Sequence, residues 1–137
     1  MAPAPRYRLD THIASFATRG ADHVLQARLG AHPMSVLCLS AITGAELLVG
    51  LATQPQARTL KIAVQQFLQR VDVLAWDSKA AAADGTLRAT LERQGTPLGN
   101  LDTLIAAHAI AAGCVLVSND KALAPTPGLR VEDWSVA

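Results

Sequence analysis

A chain of 137 residues, 50% hydrophobic and 17% charged, is long enough to bury a core and too apolar for disorder. Its formal charge of +1 gives no basic field of the kind that announces nucleic acid, so such a role needs a local patch. Two cysteines, Cys38 and Cys114, with no CxxC pair exclude a disulfide framework and a zinc finger, and the longest apolar run, from Leu104 to Val117 and broken by His108 and Gly113, is too short to span a bilayer.

The opening "MAPAPRYRLD" lacks the apolar stretch of a signal peptide, which leads to the expectation of a cytoplasmic protein. "RYRL" at 6–9 predicts a short strand, and "DTHIASFATRG" turns into a helix that Gly20 stops. Residues 21–31 carry apolar side chains at helical spacing, ended by Gly30 or Pro33. "SVLCLS" at 35–40 reads as a buried strand, "TGAELLVGLA" as a helix, and "ARTLKIAVQQFLQR" at 57–70 as an amphipathic helix striped by Leu60, Ala63, Val64, Phe67 and Leu68. "VDVLAW" at 71–76 predicts a third strand, followed by a helix over 77–95 capped by Asp77 or Ser78 and stopped by Gly95. Asn100 is expected to cap the next helix, to about Ala112; "CVLVS" at 114–118 is a fourth strand and "LRVEDW" at 129–134 a fifth.

Alternating helices and continuously apolar strands predict one α/β domain over residues 1–137, a three-layer α/β/α sandwich around a parallel sheet of about five strands. Two helices fall between the third and fourth strands. The "GTPLG" link reaches at most about 18 Å, so the helix over 77–94 is expected to lie obliquely.

The acids fall at one end of this arrangement. Asp10 closes the first strand, Glu46 follows the second, Asp102 opens the helix before the fourth, and Asp120 lies two residues past the fourth. The carboxyl ends of parallel strands share one edge, and ligands bind there. Each acid also has a local reading. Asp10 can cap a helix, Thr43 and Glu46 fit a capping box, Asp102 suits a helix N-terminus, and Asp120 suits a turn. Together, however, four carboxylates call for a counter-charge, and an oxygen-only set points to Mg²⁺ or Mn²⁺.

"LDTHIAS" at 9–15, "SAITGAELLVG" at 40–50, "GNLDTLIAAHAIAAG" at 99–113, "LVSND" at 116–120 and "PGLRVEDW" at 127–134, in this order over nearly the whole chain, resemble a PIN domain. The resemblance is to the VapC-type toxin ribonucleases of bacterial toxin–antitoxin pairs in particular. It implies a Mg²⁺ or Mn²⁺ site and endonucleolytic cleavage of RNA, often tRNA, to a 5′-phosphate and a 3′-hydroxyl. It also implies a VapB-type antitoxin partner and a homodimer within the toxin–antitoxin complex. Asp10, Glu46, Asp102 and Asp120 match the family's acidic positions as catalytic residues, with Asp10, Asp102 and Asp120 as metal ligands. Ser118 and Asn119 match the polar pair before the last acid, and Ser40 and Thr43 the polar positions ahead of the glutamate. Two positions depart from the pattern: His12 stands where Asn or Ser is common, and Asp84 where an aromatic is frequent. His12 either supports the site as a polar contact, binds the metal or meets a phosphate.

Lys121 and Arg88, with Arg6, Arg8 and Arg93, are candidate RNA contacts, the alternative for each being a charge on a solvated face. Asp77 is expected to cap a helix, His108 to be a core or surface residue because it lies about 240° around the helix from Asp102, and Trp76 and Trp134 to serve as core or rim. The apolar residues of "HVLQARLGAHPMSVLCL" and "LKIAVQQFLQR" exceed what one face buries and suit a partner. No phosphate-cradling glycine loop is present. Rival readings are a non-catalytic interaction module, an aspartyl phosphatase (which wants a second Asp where His12 stands) and a phospho-receiver built on Asp77.

Overall fold

The computed structural model describes residues 6–20 and 22–136; the opening five residues and the first residue of the predicted second helix lie outside this range. The elements are β1 (Tyr7–Leu9), α1 (Thr11–Arg19), α2 (His23–Gly30), β2 (Leu37–Ser40), α3 (Ala41–Ala52), α4 (Arg58–Arg70), β3 (Asp72–Leu74), α5 (Ser78–Gln94), α6 (Asn100–Ala112), β4 (Val115–Val117) and β5 (Val131–Glu132). The strands form one parallel sheet in the order β3-β2-β1-β4-β5. Progress along the sheet therefore reverses between β1 and β4. That switch point opens the crevice where parallel sheets bind ligands.

Local chemistry sets the helix ends. Asp10 and Asp22 accept hydrogen bonds from the Ile13 and Leu25 amides and so cap α1 and α2. Asp77 does the same for α5 through Ala80, which is the role expected of it. Gly20, Gly95 and Gly113 end α1, α5 and α6 in left-handed conformation, where a side chain would be strained.

Alternation along the strands divides the core into two layers. Leu9, Leu37, Leu39 and Val117 face Ile13, Leu25, Leu47 and Val64, with Trp134 fully buried at the margin. Cys38 and Leu116 face the other way, onto Leu87 and Leu91 of α5 and Ile105, Ala106 and Ala109 of α6. α6 packs on β2 and β4, whereas α5 packs chiefly on α6. The two helices between β3 and β4 are thus accommodated by stacking one outside the other.

All five strands are shorter than expected, β1 and β4 by only one or two residues. Met34–Val36 forms a 3₁₀ turn closed by the Val36 amide on the Pro33 carbonyl, 3.1 Å, so β2 begins only at Leu37. β3 ends at Leu74, and β5 pairs only Val131 and Glu132, because the Leu129 amide turns back to Thr126.

Arg8 corrects the expectation of a solvated charge. It is fully buried, in register with Cys38 and Leu116 on the α5–α6 face. Its Nε, Nη1 and Nη2 find no hydrogen-bond partner among the described residues. A guanidinium does not give up its proton, so burying it calls for an anion. Cys38 supplies one. The Cys114 thiol, with its sulfur 3.9 Å away, and the Arg8 charge together bring Cys38 down to about 6. The thiolate's stabilisation is complete above the ordinary thiol value of 9.0 and is lost as pH falls through about 6. Stability is therefore expected to rise across that window, with thiolate absorbance in the folded protein at neutral pH. Cys38→Ala should remove both. A folded wild type without thiolate absorbance on the basic side of neutrality would contradict the pairing.

Candidate active site

Four elements deliver the acids to one cleft of about 860 Å³, lined by Asp10, Thr11, His12, Ser15, Glu46, Gly99, Asn100, Leu101, Asp102, Ile105, Asn119 and Asp120. Asp10 leaves β1, and its amide still bonds the Val117 carbonyl of β4 at 3.0 Å. Asp120 follows β4. Its Oδ1 accepts from the Ala122 amide at 2.9 Å, and its own amide donates to the Ser118 hydroxyl oxygen at 3.0 Å. Each of these two acids spends a carboxylate oxygen on a turn, which fixes its direction.

Glu46 arrives differently from the expected capping box. Ser40 caps α3 by accepting from the Ile42 amide at 3.2 Å, so the helix begins at Ala41 and Glu46 sits in its second turn. Its Oε1 accepts from the Thr11 hydroxyl at 2.7 Å, and the Thr11 and Thr43 hydroxyls lie 3.2 Å apart. This bridge ties α1 to α3 across the cleft.

Asp102 lies in the first turn of α6. Asn100, expected as the cap, is instead the first helical residue behind Gly99, because its Oδ1 is taken by Arg88.

Burial and mutual repulsion both act on the acids of the cleft. Burial raises the Asp10 pKa, against the pull of the Ser118 hydroxyl, the Ile13 amide and His12, and Asp102 adds to the rise. Burial also raises Asp102, with Asp120 and Glu46 adding repulsion. The carboxylates thus feel one another. Among the described residues no three His, Cys, Asp or Glu side chains converge closely enough to enclose an ion by themselves. Mg²⁺ does not require such a cage, since it keeps several waters and takes one or two carboxylates. The all-oxygen donor set and the raised affinity for positive charge fit that ion or Mn²⁺.

The other sequence candidates fall into distinct places. Asn119 and His12 line the cleft; His12 is exposed, with its ring 4.4 Å from that of Phe16. Ser118 is buried beneath Asp120. Ser40 is buried outside the cleft, 2.9 Å from His108 Nδ1, and burial together with Arg8 lowers His108 to about 4. His108 is therefore a neutral core residue. Lys121 is exposed beside Asp120. Arg88 has its guanidinium engaged by Asp84 and Asn100, and Arg6 pairs with Asp72 at 3.1 Å. Thr11, Ser15 and Gly99 joined the cleft without having been singled out. For Thr11 the one available signal was its position directly after Asp10.

Comparison with known proteins agrees with this geometry. The PIN domain family model matches residues 7–129. A relative from Shigella flexneri named tRNA(fMet)-specific endonuclease VapC is 36% identical over 95% of this chain and 98% of its own. Ribonuclease VapC2 of Haemophilus influenzae is 32% identical over 94% and 98%. Among solved structures, DNA-bound VapBC from Salmonella typhimurium superposes with a TM-score of 0.87 at 33% identity, covering 96% of this chain and 99% of that one. VapBC2 from Rickettsia felis bound to a promoter fragment gives 0.84 at 30%, covering 93% and 98%.

Proposed function

Because the chain belongs to the PIN-domain family, among its VapC ribonucleases, we propose that the acidic cleft is a Mg²⁺- or Mn²⁺-dependent endoribonuclease centre acting on RNA of the tRNA class, the toxin of a toxin–antitoxin pair. The observation that carries this reading is the convergence of Asp10, Glu46, Asp102 and Asp120, from four separate elements, on one cleft at the sheet's switch point.

Asp10, Asp102 and Asp120 would share the ion, one or two of them directly and the rest through its bound waters, with Glu46 beside them. When bound, such an ion supplies Lewis acidity, lowering the pKa of water and neutralising charge that develops on phosphate. Glu46, held by Thr11, is placed to accept a proton from an attacking water. Asn119, at the rim, offers an amide to a phosphate oxygen. In-line attack on phosphorus with loss of the 3′-oxygen leaves a 5′-phosphate and a 3′-hydroxyl.

An apolar groove supports a place for the partner. A cleft of about 480 Å³ between α1, α2 and α4 is lined by Leu29, Met34, Leu37 and Phe67. Met34 in this groove, Val24 of α2 and Ile62 of α4 are large apolar side chains exposed to solvent. A VapB-type antitoxin fits here, its apolar residues covering the groove and a cationic side chain reaching the acids in place of the metal. A dimer of such complexes follows the family pattern. Among the described residues no helix is long and apolar enough to cross a membrane, and we place the activity in the cytoplasm.

The test is induction of the chain in a host that lacks its partner, alone and with the adjacent antitoxin reading frame. Growth arrest alone, rescue with the partner and co-purification of the two are expected. Harmless accumulation of an active nuclease would overturn the toxin role.

A further inference from the structure

Arg88 lies on α5, outside the acidic cleft, yet its guanidinium reaches the element that carries Asp102. Nε donates to both oxygens of Asp84, one turn earlier, at 3.0 and 2.9 Å. Nη1 donates to Asn100 Oδ1 at 3.1 Å and Nη2 to the Asn100 carbonyl at 3.4 Å. The Asp84 side chain is only 16% exposed, so the fork is partly withdrawn from water, where charge-assisted bonds keep more of their strength. Asp84 thereby fixes the plane of a side chain that would otherwise be free to wander.

The start of α6 has need of such a support. Gly99 occupies its N-cap and provides no side chain to hold the first-turn amides. Thr103 bonds the Gly99 carbonyl at 2.8 Å from within, but the tie from Asn100 to the neighbouring helix is Arg88. Asp102 is two residues further along the same turn, and a Cβ added at Gly99 would lie 3.9 Å from its Oδ2. None of the bonds to Asp102 itself fixes it: among the described residues its carboxylate accepts no hydrogen bond, unlike those of Asp10, Glu46 and Asp120. Its position depends on the backbone of this turn.

We propose that Arg88, aimed by Asp84, is a positioning residue that holds the first turn of α6 so that Asp102 faces the metal. The inference rests on the proposed Mg²⁺ or Mn²⁺ site. It distinguishes Arg88 from an RNA-contacting residue, since the two roles affect different constants. Loss of a support behind a metal ligand weakens metal affinity, typically about 10–100-fold. Loss of a phosphate contact weakens RNA binding and flattens its salt dependence.

The experiment is calorimetric titration of Mn²⁺ into the purified wild type, Arg88→Ala, Arg88→Lys and Asp84→Asn without RNA, together with RNA KM at saturating metal. Arg88→Ala is expected to raise the Mn²⁺ Kd about tenfold or more while RNA KM stays near wild type. Arg88→Lys should recover part of the loss, because an ammonium reaches Asp84 or Asn100 but cannot fork to both. Should Arg88→Ala fail to fold, Asp84→Asn carries the test and must raise Kd in the same direction. Wild-type Mn²⁺ affinity in folded Arg88→Ala, or a raised RNA KM with unchanged Mn²⁺ affinity, overturns the positioning role and leaves the metal site intact. Absence of Mn²⁺ binding by the wild type removes the metal site and this inference with it.

Discussion

Asp102→Asn is expected to cut RNA cleavage on the order of a thousandfold, since a catalytic metal contributes several kcal/mol to the transition state. The substitution keeps the shape of the side chain and removes one charge from a cluster whose members raise one another's proton affinity. The Asp102 carboxylate carries no hydrogen bond among the described residues, so no fold contact is lost. Thermal stability of the metal-free variant should equal or exceed that of wild type. Asp10→Asn should be as inactive and still folded, because an asparagine can accept the Ile13 amide as Asp10 does. Rates and melting temperatures measured on the same preparations separate loss of chemistry from loss of fold. Wild-type cleavage by a folded Asp102→Asn protein contradicts the assignment.

The same charges make metal-free stability depend on pH. Burial leads the rise in both Asp10 and Asp102, with repulsion from neighbouring acids adding to it. A raised folded pKa means that the folded protein holds more protons than the unfolded chain between the two values. Its stabilising contribution is complete below the ordinary aspartate value of 3.8 and is lost as pH rises through the raised folded value. Metal-free protein at neutral pH therefore carries an uncompensated repulsion, and Mg²⁺ should relieve it. At tenfold its Kd, an ion that binds only the folded state adds about 1.4 kcal/mol and raises Tm by roughly 3–6 °C for a domain of this size. Asp102→Asn should blunt that response. A melting temperature unmoved by millimolar Mg²⁺ would mean that the acids form no metal site of useful affinity. The Cys38 window lies higher and runs in the opposite direction, so the two effects separate along one pH series.

Much of this was legible in the sequence because the signals were local. Asp10 before a helical stripe and Gly20 after it bound α1 without knowledge of the rest of the fold. The order of apolar strands placed the four acids at one sheet edge. What escaped depended on long-range packing. "RYRL" reads as a strand with one solvated face, but in a sheet covered on both sides the alternation carries Arg8 inward against Cys38. Met34–Val36 is apolar enough to extend β2, and only the turn at Pro33 excludes it. Glu46 came from the helix that was expected but one turn later, because Ser40 and not Thr43 caps it. The tie from Arg88 to Asn100 joins residues 12 apart on two helices, a contact that no periodicity reveals. His12, an outlier by type, is exposed and lines the cleft, where it opposes the rise in the Asp10 pKa.

The most direct test of the central claim is to incubate purified wild-type protein with total tRNA and sequence the new 5′ ends, with Mg²⁺, with chelator, and with Asp102→Asn in place of wild type. New 5′-phosphate ends at discrete positions that require Mg²⁺ and vanish with the substitution are the predicted result. The same ends appearing in chelator, or persisting at full yield with folded Asp102→Asn, would contradict a metal-dependent centre built on these acids.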